Sequence, residues 1–119
     1  TNCSQVVDKS GKDGKRAELQ YQVMETVTKE EEVSLVRIQL LTGRHHQIRV
    51  QFAKRGMPLW GDNRYHPDFA CKKRRGTIAL CAAGLSFDHP SSGERMRFWM
   101  KPEGQAFSWF CQKSFDNHV

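Results

Sequence analysis

Thr42-Gly43-Arg44-His45-His46-Gln47-Ile48-Arg49-Val50-Gln51-Phe52-Ala53-Lys54-Arg55-Gly56 is the stretch that decides how this chain is read. Thr42 and Gly43 close an extended segment and Gly56 supplies a stop, so a helix is predicted over residues 44–55. At about 100° per residue, Ile48 and Phe52 share one face while Val50 and Ala53 fall nearly opposite. A helix patterned this way is packed on two sides. Gln47, Gln51, Lys54 and Arg55 fill one gap between those faces, and that gap is assigned to solvent. Arg49 lies in the other gap, with His45 and His46 towards its edges. A guanidinium keeps its charge, so away from water it needs an anion or hydrogen-bond acceptors. Arg49 is therefore expected to pair with a carboxylate or bind a phosphate. The competing outcome is an arginine that snorkels past its neighbours to water. Arg44, His45 and His46 are placed in the first turn, where cations oppose the helix dipole unless an anion docks. Phosphate of an RNA backbone is the natural candidate. Two neutral histidines making ordinary hydrogen bonds are the alternative.

Upstream of this stretch, Leu19, Tyr21 and Val23 alternate with Gln20 and Gln22, the pattern of a half-buried strand. Residues 28–32 form a charged turn. Val33, Leu35, Arg37 and Gln39 then alternate against Val36, Ile38 and Leu40, which predicts an antiparallel hairpin. Residues 1–16 are polar and carry Gly11 and Gly14, so a leading loop is expected there. Downstream, Pro58, Gly61, Pro67 and Gly76 break residues 57–76 into irregular chain. A third strand is expected over 77–87, a turn over 89–93 and a fourth strand over 94–100. The tail from Pro102, with Phe107, Trp109 and Phe110, reads as a short packed helix or coil.

Length bounds the chain at one small domain: 119 residues can bury a core but not two. Lysine and arginine exceed aspartate and glutamate by 19 to 13, a net charge of +6, which favours a polyanionic partner such as nucleic acid. No run approaches the ~18 apolar residues of a membrane span, and no signal-peptide pattern opens the chain. A cytoplasmic location with reduced thiols is expected. The missing initiator methionine points to a piece of something longer. A zinc site built from Cys71 and Cys81 with His66 or His89 fits no ordinary ligand spacing, and neither a metal nor a cofactor is expected.

The segment 42–50 resembles the TGRxHQIR motif of the RluA-type RNA pseudouridine synthases. Gly56-Met57-Pro58-Leu59 and Gly61-Asp62-Asn63-Arg64-Tyr65 resemble that family's G-x-P-I and GD-x-x-Y segments. Ile78-Ala79-Leu80-Cys81-Ala82 resembles its LHA strand, and Leu85, Phe87, His89 and Pro90 fit the L-x-F-x-HP that follows. Ala17 and Tyr21 match a weaker upstream pattern. The resemblance runs in order through residues 17–102 and implies that residues 17–119 are the C-terminal portion of a catalytic domain. The implied fold is α+β: part of a mixed, mostly antiparallel sheet, with one main helix. The implied activity is isomerisation of uridine to pseudouridine in ribosomal or transfer RNA, with the target base flipped out of its stack. Arg49 matches the arginine that pairs with the family's catalytic aspartate. Leu80 matches an apolar position against the target base, and Arg44, His45 and His46 are expected to order the loop or face RNA.

Some features depart from the family pattern. Gln51 and Cys81 stand where family members commonly have histidine. The aspartate of the family's GRLDxxTSG-like motif has no counterpart, because none of Asp8, Asp13, Asp62, Asp68, Asp88 and Asp116 follows an Arg-Leu pair. The stacking tyrosine expected upstream is also missing. Asp62 is read as a turn former. The chain by itself is therefore expected to be inactive, and an RNA-binding module that has lost the chemistry is the alternative. Lys72, Lys73, Arg74 and Arg75 form either an RNA-contacting loop or a solvated turn. A sheet present only in part would expose an edge, through which dimerisation is allowed for.

Overall fold

The computed structural model describes residues 3–10, 15–65 and 77–116. Three strands, β1 (Ser4–Ser10), β2 (Lys15–Thr28) and β3 (Glu32–Leu40), form an antiparallel sheet in the order β1-β2-β3. A helix, α1 (Gln47–Lys54), the single α-helix among the described residues, follows. A separate hairpin, β4 (Gly84–Asp88) and β5 (Arg95–Trp99), leads to two short 3₁₀ turns at Ala106–Trp109 and Gln112–Phe115. The arrangement is α+β, as the resemblance implied.

The core lies between α1 and one face of the three-stranded sheet. The register sets Val6 opposite Leu19, Leu19 opposite Leu40, and Tyr21 opposite Ile38. With a side-chain period of two, these residues share one face. Val6, Leu19 and Phe52 are the buried centre, and Tyr21, Val36, Ile38, Ile48 and Leu59 pack around it. A register shift between Val23 and Glu25 brings Glu25 opposite Leu35. The Glu25 carboxylate accepts hydrogen bonds from the Cys111 N–H (2.8 Å) and the Ser114 hydroxyl (2.7 Å), docking the C-terminal segment on β2.

Several sequence expectations are corrected here. Residues 4–10, placed in a leading loop, form β1, because the partner strand supplies the backbone hydrogen bonds that its polar sequence gave no reason to expect. The helix begins at Gln47, not at 44: His46 has φ 50° and ψ 30°, a left-handed conformation that no α-helix contains. Gln47 and Gln51 are buried, not solvated. Their amides meet the backbone instead: Gln47 Nε2 donates to the Glu18 carbonyl (3.1 Å) and Gln51 Nε2 to the Ala17 carbonyl (3.1 Å). The third strand covers only 84–88, since among the described residues no strand lies beside 77–83. The fourth covers 95–99. Lys72, Lys73, Arg74 and Arg75, with His66 and Cys71, lie outside the described residues.

Asp8 clamps β1 to the helix. Its carboxylate accepts hydrogen bonds from Gln51 Nε2 (3.0 Å), Lys54 Nζ (3.3 Å) and both Arg55 Nη atoms (2.7 and 3.1 Å). Arg55 foremost, then Gln51 and Lys54, hold this carboxyl well below the ordinary 3.8 against the opposing pull of burial. A carboxylate depressed in the folded state binds its proton first in the unfolded chain. Its contribution is thus complete above about pH 5 and fades as the pH falls through the unfolded value towards the folded one. Lys54 is solvent-exposed, so screening holds the contribution to about 1–2 kcal/mol. Urea midpoints measured from pH 6 down to about 2.5 are expected to fall less steeply for Asp8→Asn than for wild type. Equal slopes would mean that the clamp is absent in solution.

Candidate functional site around Arg49

The segment between β3 and α1 is held to β2 by an exchange of hydrogen bonds. Thr42 Oγ1 accepts from the Glu18 N–H (2.8 Å) and donates to Gln47 Oε1 (2.8 Å). That same Oε1 accepts from the Arg44 N–H (2.9 Å). Arg44 itself turns back, its Nε donating to the Arg16 carbonyl (2.9 Å). Thr42 and Gln47 therefore set where α1 starts and how it is rotated, and this rotation points Arg49 towards the turn at 61–65.

There Arg49 meets Asp62. Nε donates to Oδ2 at 3.0 Å and Nη2 to Oδ1 at 2.8 Å, a two-pronged pairing of guanidinium and carboxylate. Asp62 has no exposed surface, and Arg49 keeps 22% of its side chain exposed. The carboxylate is also the cap of its own turn, with Oδ1 accepting from the Arg64 and Tyr65 N–H groups at 3.0 Å each. Burial raises the Asp62 carboxyl, but Arg49 and then the N–H groups of Tyr65 and Arg64 outweigh it and hold the carboxyl below its ordinary value. The same pairing raises the Arg49 guanidinium further above its already high value.

Glycine is required at position 61. Its φ is +82°, and a Cβ there would sit 2.5 Å from the Thr77 carbonyl oxygen. This close approach, with the Ala79 N–H donating to the Trp60 carbonyl at 2.8 Å, lays the segment carrying Leu80 against the Asp62 turn. Leu80 itself is exposed.

Tyr65 forms a wall of the site. The guanidinium carbons of Arg49 and Arg64 lie 5.1 and 5.5 Å from its ring centroid. Its hydroxyl is hydrogen-bonded to His46 Nδ1 at 3.2 Å, and the His45 and His46 rings stack at 3.9 Å. The His46 imidazole is held below its ordinary value, first by loss of water and then by the charges of His45, Arg49 and Arg64. His46 is thus a neutral hydrogen-bonding ring at pH 7.

The structure thus brings Arg49 and His46 together and lays the Leu80 segment against the same turn. Arg44 bonds back to β2, and His45 stacks outside His46. The expected anionic partner of Arg49 is Asp62, which sequence reasoning had taken only as a turn former. Tyr65 and Arg64 were not singled out for the site. Their signal was the spacing of Asp62 and Tyr65 after a glycine in a segment that follows the helix directly.

The profile of the RNA pseudouridylate synthase family matches residues 1–54. An uncharacterised RNA pseudouridine synthase of Bacillus subtilis is 42% identical over 92 residues, covering 73% of this chain and 27% of that protein. The dual-specificity RNA pseudouridine synthase RluA of Yersinia pestis is 35% identical over 92 residues, covering 76% of this chain and 42% of its own length. The chain therefore spans well under half the length of these relatives. The solved structure of human RNA pseudouridylate synthase domain containing 1 superposes with a TM-score of 0.68 over 84% of this chain and 48% of that one; at 22% identity the likeness shows the fold. By its motifs, its relatives and its fold, this chain belongs to the RluA-type RNA pseudouridine synthase family.

Proposed function

We propose that the protein containing this chain isomerises uridine to pseudouridine within RNA, and that the chain is the C-terminal portion of its catalytic domain. The observation that carries the reading is Arg49. Asp62 holds one edge of its guanidinium, through Nε and Nη2. Among the described residues no acceptor meets the opposite edge, and the aspartate that the family places upstream is of the right charge to meet it. In this reading the aspartate attacks the nucleoside, the glycosidic bond breaks, and the base turns and rejoins through carbon 5. Arg49 keeps that aspartate ionised and aimed. The reaction needs no cofactor.

RNA is the proposed partner, ribosomal or transfer RNA. The net charge of +6 suits a phosphate backbone. Arg44, His45 and His46 face outward beside the site or line it, and Leu80 offers an exposed apolar contact for the target base. Lys72, Lys73, Arg74 and Arg75 add a run of four positive charges to the sequence.

The test is tritium release from RNA labelled at uridine carbon 5, with the full-length protein and with this chain alone. Release by the full-length protein and none by the chain is expected. No release by the full-length protein on any cellular RNA would sink the reading.

A further inference from the structure

Two guanidinium groups share the ring of Tyr65, and their situations differ. Arg49, 5.1 Å from the centroid, is engaged by both oxygens of Asp62. Arg64, at 5.5 Å, is exposed. Asp62 holds only the backbone of Arg64, whose N–H donates to Oδ1 at 3.0 Å. Among the described residues no carboxylate pairs with the Arg64 side chain. The two histidines complete this corner: His46 is joined to the Tyr65 hydroxyl at 3.2 Å, and His45 stacks outside it, exposed. Behind loss of water, and together with His45 and Arg49, Arg64 helps to hold the His46 imidazole below its ordinary value, with Asp62 opposing more weakly. The field at this corner is therefore positive even though Arg49 is paired, and such a field draws an anion. Arg64 is also built to receive one. Its backbone is pinned by the turn and its guanidinium lies over an aromatic ring, so less freedom is lost when a ligand docks. The ring leaves the N–H edges of the guanidinium to meet an acceptor.

We infer that Arg64, laid on Tyr65, binds a backbone phosphate beside the uridine that is isomerised, and so helps to hold the flipped nucleotide at Arg49. This rests on the proposed function above and deepens it. In that reading Arg49 marks where the nucleoside is attacked, and Arg64 stands on the same ring. A nucleotide turned out of its stack keeps its flanking phosphates, which are anions in need of a fixed partner. Arg64 acts on binding, whereas Arg49 acts on the chemical step.

The experiment uses the full-length protein and the RNA fraction on which wild type releases tritium, over a series of KCl concentrations. A wild type that releases none sinks the proposed function and this inference with it; the outcomes below sink this inference alone. Arg64→Gln is expected to raise KM ~10-fold at about 0.1 M salt, with kcat within about threefold of wild type. The plot of log KM against log salt should lose about 0.7–0.9 of its slope, the share of one phosphate contact. Arg64→Lys keeps the charge and should keep the wild-type slope, with KM within about threefold. Wild-type KM and slope in Arg64→Gln would overturn the inference. So would an Arg64→Lys variant as impaired as Arg64→Gln, which would mean that the guanidinium stacks on a base. A fall in kcat at unchanged KM would move Arg64 to the chemical step and overturn it too. Loss of the cooperative melting transition in both variants would assign Arg64 to the fold and overturn it equally.

Discussion

In the full-length protein, Arg49→Lys is expected to lower kcat for uridine isomerisation by ~10²–10³-fold while KM for RNA moves by less than about threefold. Lysine keeps the charge and most of the length, so the electrostatic pull on a nearby carboxylate survives. What it loses is the planar fork. An ammonium cannot meet both Asp62 oxygens along one edge, at 3.0 and 2.8 Å, and still offer a second edge in a fixed direction. In the proposed mechanism the loss falls on kcat, because there Arg49 serves the attacking group and not the RNA backbone. Arg49→Met is a harsher change, since it leaves the wholly buried Asp62 carboxylate without its cation. Its activity loss would therefore mix chemistry with folding. Lysine separates the two when thermal unfolding is run beside single-turnover tritium release. A lysine variant within about threefold of wild-type kcat would remove Arg49 from the reaction.

The parts of this fold that were legible are those in which side-chain chemistry and backbone geometry say the same thing. The alternation through Leu19 and Tyr21, and again through Val36 and Ile38, follows the pleat, and the register carries it into the core, while Val23, the next in the pattern, stays exposed. Arg49 was legible as a charge in need of an anion because arginine cannot neutralise itself. Asp62 was not read as that anion, because its position after Gly61 already explained it as a turn residue. One carboxylate has two oxygens, and a turn uses only one of them. Gln47 and Gln51 were misplaced for a related reason. An amide on a helix looks the same in sequence whether it meets water or a backbone carbonyl, and here both meet carbonyls of β2. The helix start was misread because the left-handed turn at His46 has no glycine to announce it. β1 was hidden because only Val6 and Val7 are apolar in it; pairing with β2 makes it a strand.

The largest expected effect on stability comes from Phe52→Ala, about 3–5 kcal/mol. Phe52 is buried at the meeting of α1 with Val6 and Leu19, and its ring stands edge-on to Tyr21 at 5.2 Å. Removing it leaves a cavity that the pleated sheet on one side cannot close. The helix has little to fall back on, since α1 is 8 residues long and a helix of that length does not hold itself in water. Its other anchors are polar: Gln47 on the Glu18 carbonyl at one end, and Gln51, Lys54 and Arg55 on Asp8 at the other. Those contacts fix direction but contribute less, because water competes for Lys54 and Arg55. A loss of this size takes much of the ~5–15 kcal/mol that holds a typical domain folded. In urea titrations followed by tryptophan fluorescence, the midpoint for Phe52→Ala should drop by about 2 M, with Phe52→Leu losing much less. A shift below about 0.5 M for the alanine variant would mean that α1 is not seated through Phe52. The same loosening should reach the chemistry. Arg49 lies one turn before Phe52 on the same helix, so a helix that rocks on the sheet no longer carries Arg49 to Asp62.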